Sequence, residues 1–180
     1  MLDDRKQIIS WSLYDWANST FSTTVMAGFF PIFFQQYWST ATDVTVSTWY
    51  LGLANSLASI AVASLAPFLG AIADKASVKK RLLIFFAFIG IISTGALSMV
   101  GQGYWKIAAV FYVVASVGFM SANIFYDSLL PSVASKQKRD FVSSLGYSLG
   151  YIGGGILFLV NVAMYLKPCL LYTSDAADDP

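Results

Sequence analysis

Long hydrophobic stretches alternate with short polar loops along this chain. A hydrocarbon core about 30 Å thick needs about 20 apolar residues of helix to cross it. Five stretches reach that length, so the pattern predicts an all-α membrane protein with five transmembrane helices. The predicted spans cover about residues 9–38, 49–73, 82–100, 104–130 and 141–166.

Basic residues are distributed unevenly over the loops between these spans. If the N-terminus is cytoplasmic, nine of the eleven Lys and Arg side chains lie on the cytoplasmic side. Cytoplasmic loops of membrane proteins carry such an excess of Lys and Arg. The distribution therefore predicts a multi-pass protein in the lipid bilayer, with its N-terminus in the cytoplasm.

The composition excludes most catalytic and metal-binding chemistry. The chain contains no His and no Glu, and all ten acidic residues are Asp. Zinc motifs, Ser-His-Asp triads and Glu acid–base pairs cannot be built from these residues. The chain has no phosphate-binding GxxxxGK[ST] loop, and its net charge of +1 gives no reason to expect a nucleic-acid partner. We therefore expect no enzyme activity, no metal and no cofactor.

Polar residues fall at helical spacing inside the first and fourth spans. Residues at i, i+4 and i+7 share one helix face. The two stripes comprise Asp15, Asn18, Ser19 and Ser22 in the first span and Ser116, Asn123 and Asp127 in the fourth. Such stripes face the bundle interior or a water-filled cavity. They either line a path through the protein or form hydrogen bonds between helices, and for the two Asp residues we favour the functional interpretation.

Aromatic residues mark both ends of the first span. They are Trp11, Tyr14 and Trp16 at the inner end, and Tyr37 and Trp38 at the outer end. Trp and Tyr are enriched at both membrane–water interfaces, so these residues are interpreted as two aromatic belts. This placement puts Asp15 at the cytoplasmic rim.

A motif follows the second span, in the short loop that leads to the third. The stretch GAIADKASVKKR contains Gly70, Asp74, Lys75, Lys79, Lys80 and Arg81. It resembles the signature of the major facilitator superfamily, roughly G-x-x-x-D-R/K-x-G-R-R/K, although Ser77 replaces the second glycine and Val78 a usual basic residue. Gly70 would permit close helix contact, and Asp74 would cap a neighbouring helix. The alternative is an ordinary basic cytoplasmic loop.

Three further stretches resemble the vacuole-effluxer-like branch of that superfamily. They are SWSLYDWANSTFSTTVMAGFFPIFF (10–34), NIFYDSLLPSVA (123–134) and SLGYSLGYIGGG (144–155). Members of the branch often carry Asn where this chain has Asp127. The resemblance implies five of the six helices of the N-terminal half of a secondary transporter, located in a bacterial plasma membrane. It also implies an amino-acid substrate, alternating access, a C-terminal half as partner, and proton coupling as one option.

Glycines recur every fourth residue in the fifth span, at Gly146, Gly150 and Gly154. They lie on one helix face and let another backbone approach closely. We favour static packing, with a sliding surface as the alternative.

Charged residues converge on the cytoplasmic side. The acids are Asp15, Asp74 and Asp127, and the bases are Lys79, Lys80, Arg81, Lys136, Lys138 and Arg139. Lys75 of the signature loop lies beside them. We predict an ion-pair network there, since pairing makes charge tolerable at such a site and a network that repacks between two states forms a gate.

The last twelve residues, CLLYTSDAADDP (169–180), resemble the translated read-through of a sequencing adapter. We therefore expect the native N-terminal bundle to occupy residues 1–168, and we expect these residues alone not to transport. Two rival functions remain open: a membrane scaffold or sensor without transport activity, and, with less support, an aspartate-based membrane enzyme.

Overall fold

The computed structural model describes residues 2–73 and 78–167, which fold into helices joined by short turns. We number the helical runs α1 to α5. Run α1 comprises Arg5–Thr20, the π-helical Phe21–Phe29, Phe30–Phe33 and the π-helical Phe34–Trp38. The others are α2 (Val44–Ala73), α3 (Lys79–Ala96), α4 (Trp105–Val133) and α5 (Arg139–Leu166). A 3-10 turn, Leu97–Met99, follows α3 directly.

Within residues 2–73 and 78–167, four helices are long and apolar enough to cross a membrane. They cover Val44–Ile72, Lys79–Met99, Trp105–Val133 and Arg139–Leu166. These helices correspond to the second to fifth predicted spans, and the all-α membrane fold is confirmed. Run α1 is helical throughout, but the π-helical segments divide it into pieces of at most 16 residues. Its membrane crossing stays a prediction.

The π-helical segments of α1 lie on both sides of Pro31. Proline has no N–H group, and its ring clashes with the carbonyl of the preceding helical turn. Wider turns relieve this crowding, and single π turns are frequent at functional sites. The hydrogen-bond pattern of α1 is therefore altered on both sides of Pro31.

Helix α4 lies at the centre of the bundle. Helices α2 and α3 pack against α4, α5 packs along α1, and α1 makes further contacts with α4. At one end of the bundle, the ring of Phe30 stacks on Tyr112 at 3.9 Å, and Tyr112 donates a 2.7 Å hydrogen bond to Asn55. The packing thus joins α1, α2 and α4 through one buried aromatic cluster.

Glycine sets the closest approach between α3 and α4. A β-carbon added to Gly118 would lie 2.7 Å from the backbone nitrogen of Gly90 and 2.8 Å from the carbonyl oxygen of Phe86. No side chain fits between the two backbones at this point.

The outer faces of α2 and α5 carry exposed large apolar residues, as expected for surfaces in contact with lipid or other membrane helices.

Two of the predicted aromatic-belt residues are buried instead. Trp11 is 7% exposed and Trp38 is 6% exposed. The Trp11 indole donates a 3.1 Å hydrogen bond to the carbonyl of Tyr126, and Trp38 donates one of the same length to Val100. The belt interpretation was wrong for both residues, because each indole N–H finds a backbone acceptor inside the bundle.

Candidate functional site

An aromatic stack joins α1 to α4 at the end of the bundle that contains the N-terminus. The rings of Trp11 and Tyr126 lie 4.2 Å apart at 11°, and the ring of Tyr14 stacks on Tyr126 at 5.1 Å. Helical spacing in α1 brings Trp11 and Tyr14 to the same face. The hydroxyl groups of Tyr14 and Tyr126 are buried, and neither has a hydrogen-bond partner among the described residues.

Two carboxylates border this stack. Asp15 is half-buried and accepts a long 3.4 Å hydrogen bond from the Ser19 hydroxyl, whereas Asp127 is exposed. Within the described part of the chain, no Lys or Arg nitrogen lies within 4.0 Å of either one.

The predicted ion-pair network is therefore wrong for the described residues. Lys79 donates a 2.9 Å hydrogen bond to the carbonyl of Ser128, and Arg139 donates a 3.3 Å bond to the carbonyl of Ala134. Both cations are held by backbone oxygens near the end of α4, where the helix dipole is negative. Lys80, Arg81 and Lys136 are exposed. Asp74 and Lys75 lie outside the described residues.

The ion pair found among the described residues involves the N-terminal segment. Lys138 Nζ lies 3.6 Å from Asp3 Oδ2. The other oxygen of Asp3 accepts a 2.9 Å hydrogen bond from the backbone N–H of Ser135. These contacts, led by the Ser135 amide, hold the pKa of Asp3 below its ordinary value. Asp3 thus attaches the N-terminus to the loop between α4 and α5.

The predicted polar stripes meet at one direct contact. The Asn18 side chain of α1 donates a 2.6 Å hydrogen bond to the side-chain oxygen of Asn123 in α4. Ser22 bonds within its own helix, to the carbonyl of Ser19 at 2.9 Å. Ser116 is fully buried in α4, so in this structure it faces neighbouring helices and not an open path.

The glycines of α5 pack against α1. Gly146, Gly150 and Gly154 are all buried. A β-carbon at Gly146 would lie 2.6 Å from the Trp11 ring, and one at Gly150 would lie 2.6 Å from the Ser19 hydroxyl oxygen. Both static packing and a sliding surface require this close approach, so the choice between them stays a prediction. Gly70 differs, since no described atom lies within 4 Å of a β-carbon placed there.

A cleft of about 380 Å³ lies between α1 and α3. Its walls include Asn18 and Phe21 from α1, Gly90 and Ile91 from α3, and Phe119 from α4. The lining is largely apolar, with the Asn18 amide at one side. The cleft therefore lies beside the polar contact between α1 and α4.

Sequence patterns missed some of these residues. Tyr126 was not singled out, although it precedes Asp127 and stacks on Trp11. Thr23 was also missed, and its hydroxyl lies 3.3 Å from the carbonyl oxygen of Gly154. Its position four residues after Ser19 was the signal available in the sequence.

The polar groups that the fold brings together at the contact of α1, α4 and α5 are carboxylates, hydroxyls and amides. Such groups can bind cations, protons or polar solutes.

Metal binding has little support in this arrangement. Across the described ranges, no group of three or more His, Cys, Asp or Glu side chains is placed to hold a metal ion.

Several known proteins are similar to this chain in sequence. The family model described as vacuole effluxer Atg22-like matches residues 3–169. The uncharacterised MFS-type transporter YxiO of Bacillus subtilis strain 168 is 38% identical over 162 residues, which are 89% of this chain and 38% of that protein. An uncharacterised protein of Aquifex aeolicus strain VF5 is 29% identical over 170 residues, 93% of this chain and 42% of that protein. No solved structure matches. The chain thus spans about two fifths of the length of these curated relatives.

Proposed function

The chain belongs to the vacuole effluxer Atg22-like family of MFS-type membrane transporters, and we propose that it forms most of the N-terminal half of a secondary transporter. The complete protein would move small solutes by alternating access between the two sides of the membrane. Substrate sites in such proteins lie where the two structural repeats meet. We place the protein in a bacterial plasma membrane, with the N-terminus in the cytoplasm, because basic residues are concentrated in the loops on that side.

The hydrogen bond between Asn18 and Asn123 is the observation that carries this proposal. Polar side chains within membrane helices are costly unless they face one another or a water-filled path. This pair joins the polar faces of α1 and α4, and Asp15 and Asp127 continue those faces toward one end of the bundle. A path along these faces would offer amides and carboxylates to a solute that carries both charges.

We propose amino acids as the substrate class and protons as the coupling ion. The proposal on coupling rests on two carboxylates that have no basic partner within 4.0 Å in the described ranges. A carboxylate without a fixed counter-ion can exchange a proton as the path opens to either side. Enzyme activity is not part of the proposal, since the relative YxiO is described as a transporter.

A transport assay tests the proposal on the complete transporter that carries this chain, reconstituted in lipid vesicles. We expect saturable uptake of radiolabelled amino acids that increases with an imposed pH gradient. Asn123→Ala should reduce uptake strongly, because Asn18 loses its partner. Asn161→Ala is the matched control, since Asn161 donates its 2.8 Å hydrogen bond to a carbonyl of its own helix.

Two results would count against the proposal. One is the absence of saturable uptake for every amino acid tested. The other is equal uptake by the wild type and Asn123→Ala. Residues 1–168 are expected not to transport alone, and saturable uptake by this segment would contradict that part.

A further inference from the structure

We propose that the N-terminal segment, residues 2–4, is a releasable latch that controls the entry of water between α1 and α4. Asp3 closes the latch, and the loop between α4 and α5 holds it. This inference goes beyond the proposed function, because it concerns how one end of the bundle opens and not which solute the transporter moves.

Three contacts attach Asp3 to the loop. Its backbone N–H donates a 3.0 Å hydrogen bond to the carbonyl of Val133, the last residue of α4. One carboxylate oxygen accepts a 2.9 Å bond from the backbone N–H of Ser135, and the other lies 3.6 Å from Lys138 Nζ. In the described ranges, no other hydrogen bond or ion pair joins residues 2–10 to another helix or loop. The start of α1 therefore depends on Asp3 for its polar attachment.

These contacts are open to water, so the latch can release. The Asp3 side chain is 25% exposed and that of Lys138 is 57% exposed. Ion pairs with such exposure contribute little free energy, because water competes for both partners. Leu2 and Asp4, on either side of Asp3, are already exposed. Release therefore breaks a few polar contacts at the surface of the bundle.

Buried hydroxyl groups lie next to the latch. Val133 belongs to the same buried cluster as Trp11 of α1 and Tyr126 of α4. Within this end of the bundle, the hydroxyls of Ser12, Tyr14 and Tyr126 are buried, and none has a hydrogen-bond partner among the described residues. Buried polar groups are nearly always hydrogen-bonded, so each exception requires an explanation. Water that entered between α1 and α4 would give these groups a partner.

Opposing contributions make the two arrangements close in free energy. The closed arrangement is stabilised by Asp3 and by Trp11, which stacks on Tyr126 at 4.2 Å and donates a hydrogen bond to its carbonyl. The open arrangement is stabilised by hydration of the buried hydroxyls. Helix α1 packs along α5 and touches α4 at fewer points, so separation from α4 loses less packing. A small change at the latch therefore shifts the population of the open arrangement.

Labelling of an introduced thiol measures this opening. The complete transporter that carries this chain is placed in lipid nanodiscs, with its native cysteines replaced by serine and Ser12→Cys as the reporter. Ser12 is 0% exposed, so a water-soluble maleimide should react slowly while the latch is closed. Asp3→Gly should increase the initial rate about three- to tenfold. Glycine suits the φ of 66° at Asp3, so this variant removes the carboxylate contacts without straining the backbone.

Asp4→Gly is the matched control. The Asp4 carboxylate accepts a 3.1 Å hydrogen bond from the backbone N–H of Lys6 in its own helix, and glycine is tolerated at a helix N-cap. This variant should label at the rate of the parent protein. An unchanged rate in Asp3→Gly would overturn the proposal. An equal increase in both glycine variants would also overturn it, because the cause would then be general fraying of α1.

A second matched pair tests the cation. Lys138→Gln should increase the labelling rate, whereas Lys136→Gln should not, since Lys136 is exposed and no acid in the described ranges lies within 4.0 Å of it. In the Asp3→Gly background, Lys138→Gln should add nothing, because residues that act through one contact are not additive. Full additivity would refute the assignment of Lys138 to the latch.

Two further reporters guard against misinterpretation. Ser93→Cys lies in α3 and is 7% exposed, so faster labelling there in Asp3→Gly would show a loosening of the whole bundle and refute the latch. If Ser12→Cys does not fold, Ala134→Cys replaces it, since Ala134 is also 0% exposed and belongs to the buried cluster at the latch.

The labelling assay separates this proposal from the transport proposal. Faster labelling in Asp3→Gly, together with an absence of saturable amino-acid uptake, would refute the proposed function and support the latch. Saturable uptake together with unchanged labelling in Asp3→Gly would support the proposed function and refute the latch.

Discussion

Replacing Gly118 by alanine should disrupt the contact between α3 and α4. The added β-carbon would lie 2.7 Å from the backbone nitrogen of Gly90 and 2.8 Å from the carbonyl oxygen of Phe86. Both neighbours are backbone atoms of a helix, so neither can rotate away as a side chain would. The two helices must separate locally to admit one methyl group.

The size of this effect follows from the distances. Ordinary contact begins at 3.4 Å, so the helices must move apart by roughly 0.7 Å at this point. A gap of about 0.5–1 Å already removes a quarter to a half of the dispersion energy of each affected contact. Overpacking of this kind costs about 1–3 kcal/mol. Membrane helices associate largely through such packing, which leaves little to compensate for the loss.

Gly155→Ala provides the matched control. Gly155 lies within α5, and no described atom is within 4 Å of a β-carbon placed there. Alanine in a helix interior gains about 0.5–1 kcal/mol over glycine at either position. The difference between the two variants therefore measures the steric term, about 1–3 kcal/mol.

Unfolding in detergent, followed by circular dichroism, measures both variants against the wild type. We expect Gly118→Ala to unfold at a lower denaturant concentration than Gly155→Ala, with Gly155→Ala at or above the wild type. Equal stability of the two variants would refute the reasoning, because it would show that α3 and α4 do not meet at Gly118.

Three further predictions address individual contacts. Asn123→Ala should lower the free energy of unfolding by about 0.6–1.7 kcal/mol, because the Asn18 amide loses its partner, and unchanged unfolding in detergent would contradict this. Trp11→Phe keeps a ring but loses its indole bond, so the same assay should show a loss of about 0.5–1.5 kcal/mol; a neutral result would argue against that bond. The lowered pKa of Asp3 gives a stabilisation that is complete above its ordinary value near 3.9 and lost as pH falls through the lowered folded value. In Asp3→Asn the melting temperature should therefore depend less on pH in that acid window. A pH profile of the melting temperature equal to that of the wild type would exclude this role.

Hydropathy predicted which stretches form helices better than it predicted the residues at which the helices begin and end. The second span was predicted from residue 49, but α2 begins at Val44. The added turn is polar, and its start is fixed by Asp43, whose side chain accepts a 2.8 Å hydrogen bond from the backbone N–H of Thr45. Hydropathy records which residues prefer lipid, whereas a helix start depends on which group satisfies its first N–H donors.

The charged residues were the least predictable part of the site. Lys79 and Arg139 were expected to pair with Asp side chains, but both donate to backbone carbonyls near the end of α4. A sequence shows that charges occupy the same side of a membrane but not which acceptor lies closest. The pair Asn18 and Asn123 was better defined, since each belonged to a predicted polar stripe and the stripes meet in the fold.

The atoms of α1 that lie closest to the glycines of α5 differ along the helix. At Gly153 a β-carbon would lie 2.6 Å from the carbonyl oxygen of Trp16, so the two backbones are in contact there. At Gly150 the nearest atoms belong to the side chains of Ser19 and Asp15, which can rotate. Movement of α5 along α1 would separate the backbones at Gly153, whereas reorientation of Asp15 would not. The ridge therefore holds α1 and α5 together at Gly153, while the carboxylate of Asp15 beside Gly150 can still reorient.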